Sequence, residues 1–115
     1  MELIHERTDA VIASSVELAL SRTARRTGLL GRVAMDPGAA LMLAPCCAVH
    51  TAFMRFPIDV LFMDRSGRAM RVIHGLKPWR VAASRRAYAV VELAAGVLAR
   101  FEVGAGDRFR LENRC

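Results

Sequence analysis

Cys46, Cys47, His50 and Asp59 have types and spacings that could carry chemistry. A thiol three or four residues from an imidazole offers a nucleophile beside its base, with Asp59 as a third group to orient the ring. The same C-x-x-H spacing suits two metal ligands. Structural zinc takes four, however, and His5 and His74 are not spaced to complete the set, so no metal is expected. The plainer account makes one cysteine a small core hydrophobe and turns His50 to a buried backbone group. Two carboxylates also stand out. Asp59 lies between Ile58 and Val60-Leu61-Phe62-Met63, and Glu92 lies in the apolar run from Tyr88 to Leu93. An ionised carboxylate in such company is costly unless something pairs with it or hydrogen-bonds it. One reading is an acid/base pair with raised pKa values. The other is structural: Asp59 holds backbone N–H groups at a bulge after Pro57 or pairs with a buried arginine, and Glu92 neutralises a nearby basic residue.

A third set suggests binding. His50, Thr51 and Arg55 interrupt the apolar run from Val49 to Phe56, and Trp79 sits between Lys77 and Arg80 in a loop where its ring could stack on a sugar or a base. Four arginines, Arg22, Arg25, Arg26 and Arg32, form the densest basic patch. Strand geometry sets a condition on a shared site. In an extended chain His50 points one way while Thr51 and Arg55 point the other, so a bulge must re-aim one of them.

The elements that would position these residues are mostly strands. Met1 to His5 reads as an edge strand or a frayed end, and Val11 to Leu20 as a strand pair about Ser14-Ser15. Ser21 offers an N-cap for a short helix from Arg22 to Leu30, closed near Gly31. Asp36-Pro37-Gly38 predicts a turn with a positive φ at the glycine. Strands then follow at Ala40–Leu43, Val49–Met54, Ile58–Met63, Arg68–Leu76 and Tyr88–Leu93, with a hairpin turn at 64–67 and a loop from Lys77 to Arg86. Val97 to Phe101 suggests one helical turn, and Arg108 to Glu112 closes the chain as a strand. Strands at short, turn-marked spacing with little helix predict a single mainly β domain, a small β-sandwich or barrel over residues 1–115.

A chain of 115 residues buries a real core without disulfides, and with 54% hydrophobic but only 6% aromatic residues that core is aliphatic and methionine-rich. No apolar run approaches the roughly 20 residues of a membrane span. A basic segment followed by an apolar one is absent from the N-terminus, which favours a cytoplasmic location. Adjacent Cys46 and Cys47 rarely bond to each other, so all three thiols, Cys115 included, are expected free. The net charge is +6, and Lys77 is the only lysine among 17 basic residues. Arginine suits phosphate, carboxylate and planar ligands, but a GC-rich coding sequence enriches it too, so nucleic acid is not the favoured partner.

Gly28-Leu29-Leu30-Gly31-Arg32 after a basic helix, then F-M-R-F-P-I-D-V-L-F-M-D-R-S-G, V-V-E-L-A-A-G and G-A-G-D come in the order of one family. From about Val16 to Phe109 the chain resembles the prokaryotic domain of unknown function 192. The resemblance implies a compact jelly-roll-type β-sandwich with one short helix, and no established activity. Many relatives look like x-F-W-M-x-N-T-x-x-P-L-D where this chain has His50-Thr51-Ala52-Phe53-Met54-Arg55-Phe56-Pro57-Ile58-Asp59. The tryptophan and the Asn-Thr pair are missing, so Arg55, with His50 and Thr51 upstream, takes over the polar work. The expected function is binding of an anionic or polyhydroxyl ligand at His50, Thr51, Arg55 and Asp59, rimmed by Trp79 and Arg26, with no cofactor. Two alternatives stand beside it: an enzyme using Cys46 or Cys47 with His50 and Asp59, and a nucleic-acid accessory factor acting through the arginines.

Overall fold

The computed structural model describes residues 1–113. Its strands are β1 (Glu2–His5), β2 (Ala10–Ala13), β3 (Ser15–Ala19), β4 (Ala39–Leu43), β5 (Ala48–His50), β6 (Ile58–Met63), β7 (Ala69–Leu76), β8 (Val81–Ala83), β9 (Ala89–Ala94) and β10 (Phe109–Glu112). Two short helices accompany them, α1 (Arg22–Thr27) and α2 (Val97–Arg100). The fold is mainly β, as the turn spacing predicts, and α2 is the helical turn expected at Val97 to Phe101.

A five-stranded sheet, ordered β3-β4-β9-β6-β7, forms the middle of the molecule. Its central strands read as unbroken apolar runs because both faces are covered. Every residue of β6 is buried. Leu61 and Met63 of β6, with Val91 and Leu93 of β9, pack against Leu3, Ile12 and Phe109 of a second sheet ordered β10-β1-β2. Ile58, Val60 and Phe62, with Val90, pack the other way, under Leu29, Val49 and Ala82. That second face is roofed by the α1 segment and by a two-stranded ribbon of β5 and β8. Among the described residues no helix is long and apolar enough to cross a membrane.

Pairing departs from the sequence pattern where partners are distant. β1 is no edge: it lies between β10 and β2, and His5 Nε2 sits 2.7 Å from Asp107 Oδ2. β2 and β3 do not pair with each other; β2 joins β1, and β3 runs parallel to β4. The strand expected over 49–54 stops at His50, because only three residues of β8 answer it. β8 itself lies inside the stretch expected to be loop. Helix α1 does begin at Ser21, whose Oγ accepts from Ala24 N at 3.0 Å, but it ends at Thr27 because Gly28 turns to φ +49°. The 36–38 turn forms with Asp36 Oδ1 accepting from Gly38 N at 2.7 Å, yet Gly38 is not left-handed. Gly67 is: at φ +86° a Cβ there would run into Phe109 O, so glycine lets the β6–β7 turn lie against β10.

Candidate functional site

The alternation of β9 sends Val90 to the α1 side of the central sheet, and Glu92, two residues on, follows it. There Glu92 borders a cavity of about 80 Å³ that Arg25, Arg26 and Gly28 line from α1 and its cap. Cys46, His50 and Met54 close the other side. Glu92 is only 4% exposed, and no hydrogen bond reaches its carboxyl from the described residues. Burial pushes that carboxyl up to about 7, against the opposing pull of the Arg32 guanidinium. A carboxyl that titrates near neutrality can donate as well as accept a hydrogen bond.

The cations around it differ in freedom. Arg25 Nη1 donates to the carbonyls of Leu20 and Ala44, and Arg32 pairs with Glu17 Oε2 at 2.9 Å. Arg26 is exposed and makes no ion pair among the described residues. His50 is exposed at the end of β5. Cys46 Sγ donates to Ala48 O at 3.1 Å, and burial raises its thiol pKa, with Cys47 and Glu92 adding to the rise. A raised thiol carries less thiolate at neutral pH and is a poorer nucleophile. Cys46 and Cys47 are both free; Cys115 lies outside the described residues.

Thr51 is fully buried and acts as a clasp between two loops. Its Oγ1 donates to Lys77 O at 2.6 Å and accepts from Arg80 N at 2.8 Å, and its carbonyl accepts from Met54 N and Trp79 N. The clasp holds up two aromatic rings. Phe53 and Trp79, 73% and 60% exposed, meet edge to face with centroids 4.6 Å apart. Both occupy left-handed backbone conformations, φ 65° and 63°. Aromatic residues rarely adopt them without constraint, and such strain collects at binding and catalytic sites.

Asp59 is on the other face of the sheet. Its Oδ1 accepts from Gly75 N at 2.8 Å and its Oδ2 from Gly96 N and Leu98 N, each at 3.0 Å. The six residues singled out in the sequence therefore divide. His50 and Arg26 share the cavity, and Trp79 stands on the adjoining loops above Thr51. Arg55 is exposed and does not line the cavity, while Asp59 is tied to backbone beyond the sheet. The register of β6 and β9 thus separates Asp59 from His50 and Cys46. Arg25, one of the helix arginines expected at the rim, lines the cavity, whereas Phe53 has no place in the site read from the sequence. Nothing in A-F-M-R marks a left-handed, exposed phenylalanine. Glu92 stands out in the sequence as an acid in an apolar strand, and its two-residue spacing from Val90 carries the signal for its face. Among the described residues no cluster of His, Cys, Asp and Glu is arranged to hold a metal.

The family described as Uncharacterized ACR, domain of unknown function 192, matches residues 3–111, and the chain belongs to it. Two solved structures are similar. One, described as a candidate transcription regulator from Sinorhizobium meliloti 1021, is 26% identical with a TM-score of 0.83, over 95% of this chain and 89% of that one. The other, a protein of unknown function from Novosphingobium aromaticivorans DSM 12444, is 20% identical with a TM-score of 0.76, over 84% of this chain and 74% of that one. No curated protein sequence matches.

Proposed function

We propose that the chain is a small binding domain for a polyhydroxyl ligand, held at the cavity beside Glu92 with the Phe53–Trp79 pair as a neighbouring platform. The observation that carries this reading is the Glu92 carboxyl, which borders the cavity beside Arg26 and His50 and receives no hydrogen bond from the described residues. A buried polar group is ordinarily satisfied by protein or water. A space of about 80 Å³ holds several waters, which a ligand's hydroxyls can replace. Arg26 and His50 add donors at the rim, so a sugar bearing an acid group suits the site as well as a neutral one. The aromatic faces offer what the apolar side of a sugar ring stacks on, and Thr51 holds them in place before any ligand arrives.

Trp79 is the only tryptophan, so its fluorescence reports on the platform directly. Titration with a panel of neutral and acidic oligosaccharides is expected to give a saturable change for at least one member. Glu92→Ala and Trp79→Ala should each weaken that binding about tenfold or more, the order of one lost charge-assisted or stacking contact. A panel without one saturable response would end the reading. The thiol-enzyme alternative loses support from the raised Cys46 thiol and from the distance of Asp59 across the sheet. A nucleic-acid role draws on the net charge of +6 and on the description of the Sinorhizobium relative. Against it, Arg25 and Arg32 are engaged within the fold. Steeply salt-dependent binding to duplex DNA would favour that role instead.

A further inference from the structure

We infer that the open end of the sandwich, between the β6–β7 turn and β10, is a second binding site that takes a small amphipathic anion. Its apolar part would lie on the apolar floor of that end and its acid group at the mouth. A cavity of about 240 Å³ opens there. Leu3, Met42, Met63, Ala89 and Phe109 lie closely packed beneath it as an apolar floor, with half-buried Leu111 at its edge. An apolar cavity of about 150 Å³ stays dry and accepts benzene, so this one has room for a larger ring or a short chain. Small Ala89 leaves the space, and two methionines can reshape themselves around whatever fills it.

The mouth argues for charge. A second, wider hollow shares Asp64, Arg65, Ser66 and Tyr88 with the first and adds Arg86. The Arg65 guanidinium stands over the Tyr88 ring, 4.6 Å from its centroid. Neither Arg65 nor Arg86 makes an ion pair among the described residues. Arg110, on the opposite rim, is already tied to Asp9 and Glu112. The carboxylate on the side of Arg65, Asp64, accepts at Oδ1 from Ser66 N, Ser66 Oγ and Arg68 N to form the turn. The charges of the whole rim balance, but Arg65 and Arg86 stand unpaired on the side away from Arg110 and its two carboxylates, so that side of the entrance offers free guanidiniums to an anion. An apolar floor with free guanidiniums at the mouth fits a hydrocarbon tail with a carboxylate, sulfate or phosphate head. This site lies on the far side of the central sheet from Glu92 and is independent of the function proposed above.

The methionines make natural reporters, since Met42 and Met63 line this cavity and Met54 lines the other. The test titrates protein carrying methyl-labelled methionine with sodium octanoate, octanol and octylammonium, followed by NMR. Octanoate is expected to shift the Met42 and Met63 methyl signals saturably while Met54 stays in place. Octanol should bind more weakly and octylammonium least. Arg65→Gln, a surface change that does not threaten folding, should weaken octanoate roughly tenfold and leave octanol unchanged. Ala89→Leu should block all three if it folds. The wild-type titration decides alone if it does not. No saturable shift of Met42 or Met63, or a shift of Met54 instead, would overturn the site. Equal affinity for octanoate and octylammonium would overturn its preference for anions.

Discussion

Asp59 gives both carboxylate oxygens to backbone N–H groups, while Glu92 gives neither to any hydrogen bond among the described residues. In the sequence the two look alike, each a single acid inside an apolar strand. What separates them is the register of the central sheet, which turns one toward α2 and the other toward α1. The partners of Asp59 come from Gly75, Gly96 and Leu98, and nothing local to Asp59 points to them. The titration of Glu92 follows from its lack of partners. With its folded pKa raised from 4.5 to about 7 by burial, the folded protein holds a proton that the unfolded chain releases. The contribution of Glu92 to stability is therefore full below pH 4.5 and falls as pH rises to about 7, by something on the order of 3 kcal/mol. Urea midpoints at pH 5 and pH 8 should show the wild type weaker at the higher pH. Glu92→Gln should remove most of that slope and exceed the wild type at pH 8. An unchanged slope in Glu92→Gln would assign the titration to another group.

The elements around Asp59 show how a strand can hold a helix. Helix α2 has four residues and no side-chain cap of its own, since its N-cap is Gly96. Alone it would not persist, because a first helical turn fixes more dihedrals than its bonds repay. Asp59 reaches across from β6 to accept from Gly96 N and Leu98 N, which makes it the cap in space though not in sequence. Its other oxygen holds Gly75, where the β6–β7 pairing slips by a bulge. Replacing Asp59 with Asn keeps the shape but sets an amide NH2 against a backbone donor. The expected loss is about 3 kcal/mol, close to that of Asp59→Ala, because both leave buried N–H groups unanswered. A denaturant midpoint equal to the wild type would show that the cap carries no weight. At this scale the apolar runs marked β4, β6 and β9 well, since burial on both faces writes itself into composition. β5 is shorter than its alternation suggests, for the opposite reason. V-H-T-A-F-M alternates well enough, but the Thr51 clasp bends the chain away after three residues.

Over the whole molecule, a sandwich of turn-linked strands was legible from spacing, but which strands meet was not. β1 is the clearest case, because its neighbours are β2 next to it and β10 from the other end of the chain. No local pattern records a partner so distant, and E-L-I-H alternates too briefly to suggest burial on both sides. Yet all four residues are buried, and Leu3 and Ile4 are 0% and 4% exposed. His5 also fastens the 104–107 turn through Asp107, which accepts from Gly104 N with the same oxygen. Truncating one side chain, as in Leu3→Ala, should cost about 3 kcal/mol, the usual range for a buried leucine. Deleting residues 1–5 is a different order of damage. It leaves β2 and β10 without their shared neighbour and opens the apolar layer that the five-stranded sheet presents to them. That loss exceeds what a domain of this size holds in reserve. The truncated chain should keep part of its far-UV circular dichroism, bind anilinonaphthalene sulfonate and show no cooperative melt, the signs of a compact state without fixed packing. A sharp melting transition within a few degrees of the intact chain would mean that the five-stranded sheet folds without its cover, and that β1 is the dispensable end its sequence suggests.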